Sequence, residues 1–315
     1  MHQIEAVGSE ATHQRVRRFA SLAARTRAFR RWSRAWLPVS PAVLLVAGVI
    51  GLPSIATLAL SFTNWSGIGP IHWAGLSSWS AAIHSGDLLG SLEVTLLFGV
   101  AASVLTTGLG LGLALLVFWK TPGWRIYRLV WFLPAIAPQA AVGIYWSTAL
   151  QPSFGFINGF LGALGLGDEH AWLSSPQLAK YVLAGIWAWT AGAFAFLLLL
   201  GALQQIPADL EQAAMVDGAS FSRRLFSIVL PLVRPATGTI LALQFIWAFN
   251  GFTLVYSTTG GGPGTSTMIL PVDVYLRSFT YQQYGAGAAL AVVGGVVLFV
   301  VGTGILRLSR SLIRD

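Results

Sequence analysis

The 315-residue sequence contains no cysteine, and only 10% of its residues are charged. Without cysteine, disulfides, zinc–thiolate sites and thiol nucleophiles are excluded. Soluble globular domains carry about a quarter charged residues, so the scarcity of charge excludes an ordinary soluble enzyme. Disordered chains combine high charge with low hydrophobicity, whereas this chain is 55% hydrophobic with a mean hydropathy of +0.69. The composition therefore indicates an integral membrane protein.

Long stretches of the chain have no charged residue, for example Leu129–Gly167 and Tyr181–Ala208. Such stretches exceed the roughly 20 apolar residues that a membrane-spanning helix needs. We predict an all-α, polytopic membrane protein with six transmembrane helices, at Pro38–Phe62, Leu89–Phe118, Leu129–Leu150, Tyr181–Leu203, Thr237–Ser257 and Ala286–Leu306. The net charge of +8 does not indicate nucleic-acid binding, because the basic residues lie between apolar blocks and form no stripe on a folded domain.

The basic residues are distributed unevenly between the two sets of loops. Seventeen of the 19 Lys and Arg residues lie in the terminal segments and in the loops after spans two and four, and the other two are Lys180 and Arg277. The positive-inside rule then places both termini in the cytoplasm. We expect residues 1–36 to form a basic cytoplasmic tail attracted to anionic membrane lipid, residues 37–310 to form the six-helix domain, and residues 311–315 to form a C-terminal cytoplasmic tail.

The predicted extracytoplasmic loops are short and rich in Trp, Gly and Ser. His72, His84 and His170 lie in these loops without the spacing of a metal site, so no metal site is predicted. The predicted cytoplasmic loop 204–235 differs, because its sequence carries helix signals.

In the 204–235 loop, Pro207 suits the first turn of a helix, which we expect to run to about Val216 and to break at Asp217-Gly218. Ser220 is suited to cap a second helix, and Pro231 is expected to end that helix. Two short helices meeting at a bend would project from the membrane surface. The residues alone leave open the alternative that this loop is an amphipathic connector lying on the lipid.

Spacing within the loop matches a longer motif: Glu-Ala-Ala, two residues, Asp-Gly-Ala, then a hydrophobic run that ends in Leu-Pro. The matching positions are Gln212, Ala213, Ala214, Asp217, Gly218, Ala219, Phe226, Ile228, Leu230 and Pro231. This pattern resembles the cytoplasmic coupling motif of permeases of binding-protein-dependent ABC transporters. Ser61–Trp65, Gly201–Pro207 and Gly260–Thr265 resemble the carbohydrate-uptake (maltose-type) branch, and the resemblance covers about residues 38–310.

This resemblance implies a permease subunit in a prokaryotic cell membrane that carries a sugar or related polyol. It implies a second similar permease, two ATPase subunits and an extracytoplasmic solute-binding protein as partners. The ATPase contact would lie at the motif, and the binding-protein contact at the loop residues Gly261, Gly262, Pro263 and Gly264. Gln212 occupies the glutamate position of the motif, so the contact of that glutamate is either lost or supplied by Glu211, one residue earlier.

No G-x-x-x-x-G-K-[ST] loop occurs in the sequence. We therefore expect no ATPase site and no cofactor in this chain, with ATP and Mg bound by the ATPase subunits. The alternative function is a stand-alone secondary carrier for a small polar solute. Such a carrier needs a coupling-ion site, and the predicted spans lack the carboxylates that usually form one.

Four polar or aromatic side chains in the spans are candidates for the solute pathway: Tyr145, Trp187, Gln244 and Asn250. Gln244 and Asn250 are the strongest candidates, because an amide in the middle of a span has to face protein or a cavity. The alternative is that the aromatic residues belong to the interfacial belts and that the amides bridge helices.

Overall fold

The computed structural model describes residues 37–84, 87–167 and 170–311. Over these residues the chain is almost entirely helical, with one isolated antiparallel bridge between Thr63 and Trp73 and no strand. The predicted all-α class is confirmed. The predicted basic tail 1–36 and residues 312–315 of the predicted C-terminal tail lie outside the described residues. The described residues divide into two compact units between Ala56 and Thr57.

Twelve helices follow one another along the described residues. They are α1 Ser40–Leu60, α2 Ser77–His84, α3 Asp87–Phe118, α4 Trp124–Ile136, α5 Gln139–Ala149, α6 Phe156–Ala163, α7 Ala179–Leu203, α8 Ala208–Val216, α9 Phe221–Phe249, α10 Phe252–Thr258, α11 Leu270–Tyr275 and α12 Tyr284–Ser311. A π-helical turn, Leu276–Thr280, directly continues α11. Helices α1, α3, α7, α9 and α12 are long and apolar enough to span a membrane, and α4 with α5 forms a sixth span if this bent pair counts as one. The predicted polytopic architecture is confirmed.

Helix α7 is the most buried of the long helices and packs against α3, α4 and α9. At Gly110 of α3, a Cβ atom would lie 2.9 Å from both the Cβ of Ala195 and the backbone N of Phe196 on α7. In lipid, helices associate through such close backbone approach, because apolar side chains gain nothing by leaving the lipid tails. Any side chain at position 110 would therefore push α3 and α7 apart.

The third predicted span, Leu129–Leu150, is not one straight helix. Helices α4 and α5 meet at a bend of 99°. Ala137 is extended, with ψ 137°, and Pro138, the residue directly before α5, has ψ 131°. Proline disfavours helical geometry in the residue before it and has no N–H to continue the ladder. Pro138 therefore divides this span into two helices.

The fifth predicted span, Thr237–Ser257, is wrong at both ends. Helix α9 begins at Phe221 and ends at Phe249, and the short helix α10 follows a break at Asn250-Gly251. Pro231, predicted to end a separate short helix, lies inside α9. A π-helical turn at Leu225–Val229 precedes it. That turn contains residue 227, whose carbonyl would clash with the proline ring in a regular α-helix.

Candidate functional site

The predicted break after α8 is confirmed. Gly218 has φ +73°, a left-handed conformation that glycine adopts without steric cost. Its N–H donates to the carbonyl of Met215 at 3.1 Å, and the N–H of Ala219 donates to the carbonyl of Ala214 at 2.9 Å. These bonds satisfy carbonyl groups that the end of a helix leaves unpaired.

Ser220 caps the helix that follows the bend, as predicted. Its side-chain oxygen accepts a hydrogen bond from the backbone N–H of Arg223 at 3.3 Å. That helix is the start of α9, which continues to Phe249. The bend at Gly218 therefore joins α8 directly to a helix long enough to span the membrane.

Glu211 points into the protein. Its Oε1 accepts a hydrogen bond from the indole N–H of Trp119 at 2.8 Å and lies 3.8 Å from a guanidinium nitrogen of Arg224. The side chains of Glu211 and Arg224 are only 18% and 17% exposed. Phe221 packs against Trp119, with ring centroids 4.7 Å apart. We call Trp119, Glu211, Phe221 and Arg224 the anchor cluster.

Glu211 and Gln212, the two residues at or next to the glutamate position of the motif, have different surroundings. Glu211 is engaged within the chain, while Gln212, which occupies the glutamate position of the motif, is exposed. The contact of Trp119 with Glu211 was not predicted, because a tryptophan directly after an apolar span is typical of an interfacial belt. Its partner is 92 residues away in the chain, and no local pattern connects the two.

Apolar side chains of the motif and of its two-residue spacer are exposed at the bend. Val216 is 88% exposed and Phe226 is 67% exposed. Ala213, Asp217 and Gly218 are exposed as well, whereas Ala214 is buried. Phe226, Leu230 and Pro231 line an open cavity of about 480 Å³. We call the exposed side chains of α8, together with Phe226, the bend surface.

The four pathway candidates lie in different environments. Gln244 is fully buried, and neither atom of its amide has a hydrogen-bond partner among the described residues. Trp187 is buried and meets Phe98 edge-on, with ring centroids 6.0 Å apart. It also borders the break after α9, because a Cβ at Gly251 would lie 3.1 Å from its ring. Tyr145 is 57% exposed and packs on the neighbouring Trp146.

Asn250 does not lie in the middle of a span, contrary to the prediction. It ends α9, is exposed, and its side-chain amide donates to the carbonyl of Ile246 at 2.9 Å. Amide side chains favour helix ends because they can bond to nearby backbone groups. The argument that this amide must face a cavity therefore no longer applies, and Gln244 is the one predicted amide that stays inside a membrane-spanning helix.

The glycine-rich loop after α10 folds into a compact turn. Gly260, Gly261 and Gly264 have positive φ values of 62°, 99° and 59°. The hydroxyl groups of Thr259 and Thr267 lie 2.7 Å apart, and that of Thr267 also donates to the carbonyl of Gly262 at 2.7 Å. The turn that contains Gly261, Gly262, Pro263 and Gly264 is therefore held closed at its base.

Fold and surface together define a class: a polytopic membrane protein in which a helical bend carries an exposed apolar surface. Within the described residues, no group of three or more His, Asp or Glu side chains could hold a metal ion. Residues 105–314 match the family described as "Binding-protein-dependent transport system inner membrane component". This match covers more than half of the chain, and the chain belongs to that family.

Membership confirms the predicted function class. The chain is a multi-pass permease subunit of an ABC importer in the cell membrane. Permease subunits of this kind are not themselves ATPases, and no enzymatic activity is indicated. Membership also implies an ATPase and a solute-binding protein as partners. The family match does not support the alternative of a stand-alone secondary carrier.

Named relatives extend over most of the chain. The sn-glycerol-3-phosphate transport system permease protein UgpA of Yersinia enterocolitica is 32% identical over 281 residues, which cover 88% of this chain and 94% of the relative. The trehalose/maltose transport system permease protein MalF of Thermococcus litoralis is 31% identical over 274 residues, covering 86% and 91%. These relatives support the predicted assignment of this chain to the carbohydrate-uptake branch.

A solved structure shares the fold. A bacterial alginate ABC transporter, in complex with an alginate pentasaccharide-bound periplasmic protein, contains a chain that superimposes with a TM-score of 0.78 at 18% identity. The match covers 91% of this chain and 97% of that chain. At this identity the likeness concerns the fold alone.

Proposed function

We propose that this permease imports a sugar or related polyol, and that its ATPase subunits bind the bend surface. The exposure of Val216 and Phe226 at the bend carries the proposal. Removal of exposed apolar side chains from water is favourable roughly in proportion to the apolar area buried, and this is the dominant favourable contribution to most protein–protein association. The anchor cluster supports the same proposal, because it holds α8 against the end of α3 and the start of α9.

The proposed complex contains a second similar permease, two ATPase subunits that bind ATP and Mg, and an extracytoplasmic solute-binding protein. The binding protein contacts Gly261, Gly262, Pro263 and Gly264, whose turn is preformed. The sugar cargo is supported by the names of two relatives, the trehalose/maltose permease and a probable permease for starch degradation products from Thermoanaerobacterium thermosulfurigenes. Gln244 and Trp187 are the pathway residues best supported by burial.

The test of this function uses the permease complex reconstituted in proteoliposomes with its ATPase subunits and binding protein. We expect ATP-dependent uptake of a neutral carbohydrate from a set containing maltose, trehalose and glycerol. The Val216→Asp variant should lose ATPase subunits on purification, because a carboxylate then replaces an apolar contact. The control Leu166→Asp changes an exposed leucine of the loop after α6 and should retain them.

Two results would contradict the proposal. Val216→Asp and Leu166→Asp could retain equal amounts of ATPase, which would show that the bend surface does not bind it. The wild-type importer could also transport none of the neutral carbohydrates, which would refute the proposed cargo.

The proposal also fixes the orientation, with both termini and the bend surface in the cytoplasm. Ser153, Thr265 and Ser222 are exposed and suit cysteine labelling, because the native chain has no cysteine. Ser153→Cys and Thr265→Cys should react with a membrane-impermeant maleimide in intact cells, and Ser222→Cys should react only after lysis. Reaction of Ser222→Cys in intact cells would reverse the orientation.

A further inference from the structure

A cavity of about 440 Å³ lies between the first turns of α3, the start of α7 and the segment 265–281. Thr95 of α3 fixes part of its wall, because its hydroxyl accepts the backbone N–H of Leu270 at 2.6 Å. That bond ties the first residue of α11 to α3. The volume falls in the range of about 300–1,000 Å³ that is typical of small-molecule sites.

The cavity gathers charges that are far apart in the sequence. Glu93, Lys180, Asp273 and Arg277 all line it. Lys180 and Arg277 are the two basic residues that the charge pattern places outside the cytoplasm, and the fold brings both to one cavity. Two carboxylates and two basic groups on one wall contrast with the long uncharged stretches that make up most of this chain.

Two of these charges are engaged with each other. The guanidinium Nε of Arg277 donates to a carboxylate oxygen of Asp273 at 2.9 Å, one helical turn away. Glu93 and Lys180 form no ion pair with any residue that the structure describes, and the ammonium nitrogen of Lys180 lies 5.4 Å from the ring centroid of Tyr181. The hydroxyl of Ser266, also on the wall, is buried and has no hydrogen-bond partner within the same described ranges. The wall therefore offers an acceptor, a donor and a hydroxyl to a ligand.

We propose that this cavity binds an uncharged, polyhydroxylated solute on its way into the permease, and that it disfavours anionic solutes. The proposal rests on the proposed import of a carbohydrate. Sugar hydroxyl groups donate to carboxylates and accept from ammonium groups, and such charge-assisted hydrogen bonds are about twice as strong as neutral ones. The two carboxylates and two basic groups cancel in formal charge. A phosphate ester or a uronate gains nothing from a wall of zero net formal charge, because Glu93 and Asp273 repel it while Lys180 and Arg277 attract it. An anionic group also costs more to remove from water than a hydroxyl group, so the anion is disfavoured.

The position of the cavity fits this role. Thr265 and Ser266 on its wall directly follow the turn Gly261–Gly264, which is the proposed contact with the binding protein. A solute released at that turn would therefore be next to the wall of the cavity. The relatives include a permease named for glycerol phosphate and one named for trehalose and maltose, and the proposed cavity would favour the second of these two classes of cargo.

The experiment measures equilibrium binding of radiolabelled maltose, trehalose and sn-glycerol 3-phosphate to the permease–ATPase complex without the binding protein. Omitting the binding protein removes its own selectivity from the measurement. We expect the complex to bind a neutral sugar more tightly than the phosphate ester. Glu93→Gln and Lys180→Gln should each weaken sugar binding about tenfold, since a hydrogen bond to a charged group is lost.

The two variants should shift the charge preference in opposite directions. Glu93→Gln leaves an excess positive charge and should narrow the preference for sugar over glycerol phosphate, whereas Lys180→Gln should widen it. Ser266→Ala removes no charge and should weaken sugar binding without changing the preference. The control Lys120→Gln changes the only other lysine, which does not line the cavity, and should bind both ligands like the wild type.

The outcomes separate this inference from the function on which it rests. Uptake of a neutral sugar by the complete importer, together with unchanged binding in Glu93→Gln, Lys180→Gln and Ser266→Ala, would overturn the cavity and leave the importer intact. Tighter binding of glycerol phosphate than of either sugar by the wild type would also overturn it. Failure of the complete importer to transport any neutral carbohydrate would refute both.

Discussion

The bend surface and the charged cavity use their charged groups in opposite ways. At the bend, Glu211 and Arg224 are turned inward and less than one fifth exposed, while Val216 and Phe226 face outward. In the cavity, Glu93 and Lys180 line the wall without ion-pair partners among the described residues. An apolar surface supported by hidden charges suits a protein partner, and a polar wall suits a small hydrophilic solute. The bend surface therefore suits ATPase binding, and the charged cavity suits solute binding.

The largest effect is expected from changing the bend itself. At Gly218 a Cβ would meet no atom within 4 Å, so a substitution there acts through the backbone conformation at φ +73°. A β-branched residue in this conformation costs about 1–2 kcal/mol. We expect Gly218→Val to reach the membrane at a near-normal level, to co-purify with little ATPase and to transport little.

The matched control for this variant is Gly218→Asn, because asparagine adopts the left-handed conformation more readily than other residues with a side chain. It should keep most ATPase binding and uptake. Full uptake and full ATPase content in Gly218→Val would show that the bend is a surface connector, and the comparison with the cavity would then lose its functional meaning.

A smaller effect is expected from the anchor cluster. Trp119→Phe keeps an aromatic ring against Phe221 but removes the N–H that donates to Glu211. A hydrogen bond to a charged group contributes about 1.5–3 kcal/mol, so α8 should become less firmly held. We expect uptake per ATP hydrolysed to fall severalfold, while the amount of bound ATPase changes less than in Gly218→Val.

Gln212→Glu is the matched control for the anchor cluster, because position 212 is exposed on the same helix. It should change the ratio of uptake to ATP hydrolysis less than Trp119→Phe does. If the two variants behave alike, or if Gln212→Glu has the larger effect, the inward contacts of Glu211 do not position α8.

The smallest effect on stability is expected at Gln244. Its buried amide has no partner in the described part of the chain, and replacement of such a group by an apolar one of similar size is close to neutral. We expect Gln244→Leu to leave the thermal stability of the complex within about 1 kcal/mol of the wild type and to lower uptake. Unchanged uptake with raised stability would mark Gln244 as a packing residue.

Sequence alone predicted the elements that depend on local chemistry. The apolar blocks, the break at Asp217-Gly218 and the Ser220 cap follow from side-chain type and near neighbours. The effect of each proline on its helix was harder to predict, because it depends on the geometry of the preceding turn. Pro138 breaks a span, while Pro231 lies inside α9 after a π-helical turn. A prediction that treats all prolines alike is therefore wrong at one of these two positions.

The parts that could not be predicted depend on residues distant in the chain. The contact between Trp119 and Glu211 spans 92 positions. The cavity combines residues 93, 180, 273 and 277, which come from three separate parts of the chain. Asn250 was misplaced because an apolar run continues on both sides of it, and only the folded chain shows that α9 ends there. Packing, and not composition, decides such positions.

The unbroken course of α9 has a mechanical consequence. Its 29 residues at a rise of 1.5 Å per residue form a lever arm about 43 Å long. One end adjoins the bend at Gly218, and the other ends at Asn250, where Gly251 borders Trp187. If ATPase closure tilts this helix by about 10° about one end, the opposite end is displaced by about 7.5 Å. A single helix would then carry motion from the ATPase contact to the region of the solute pathway, without relay through a flexible loop.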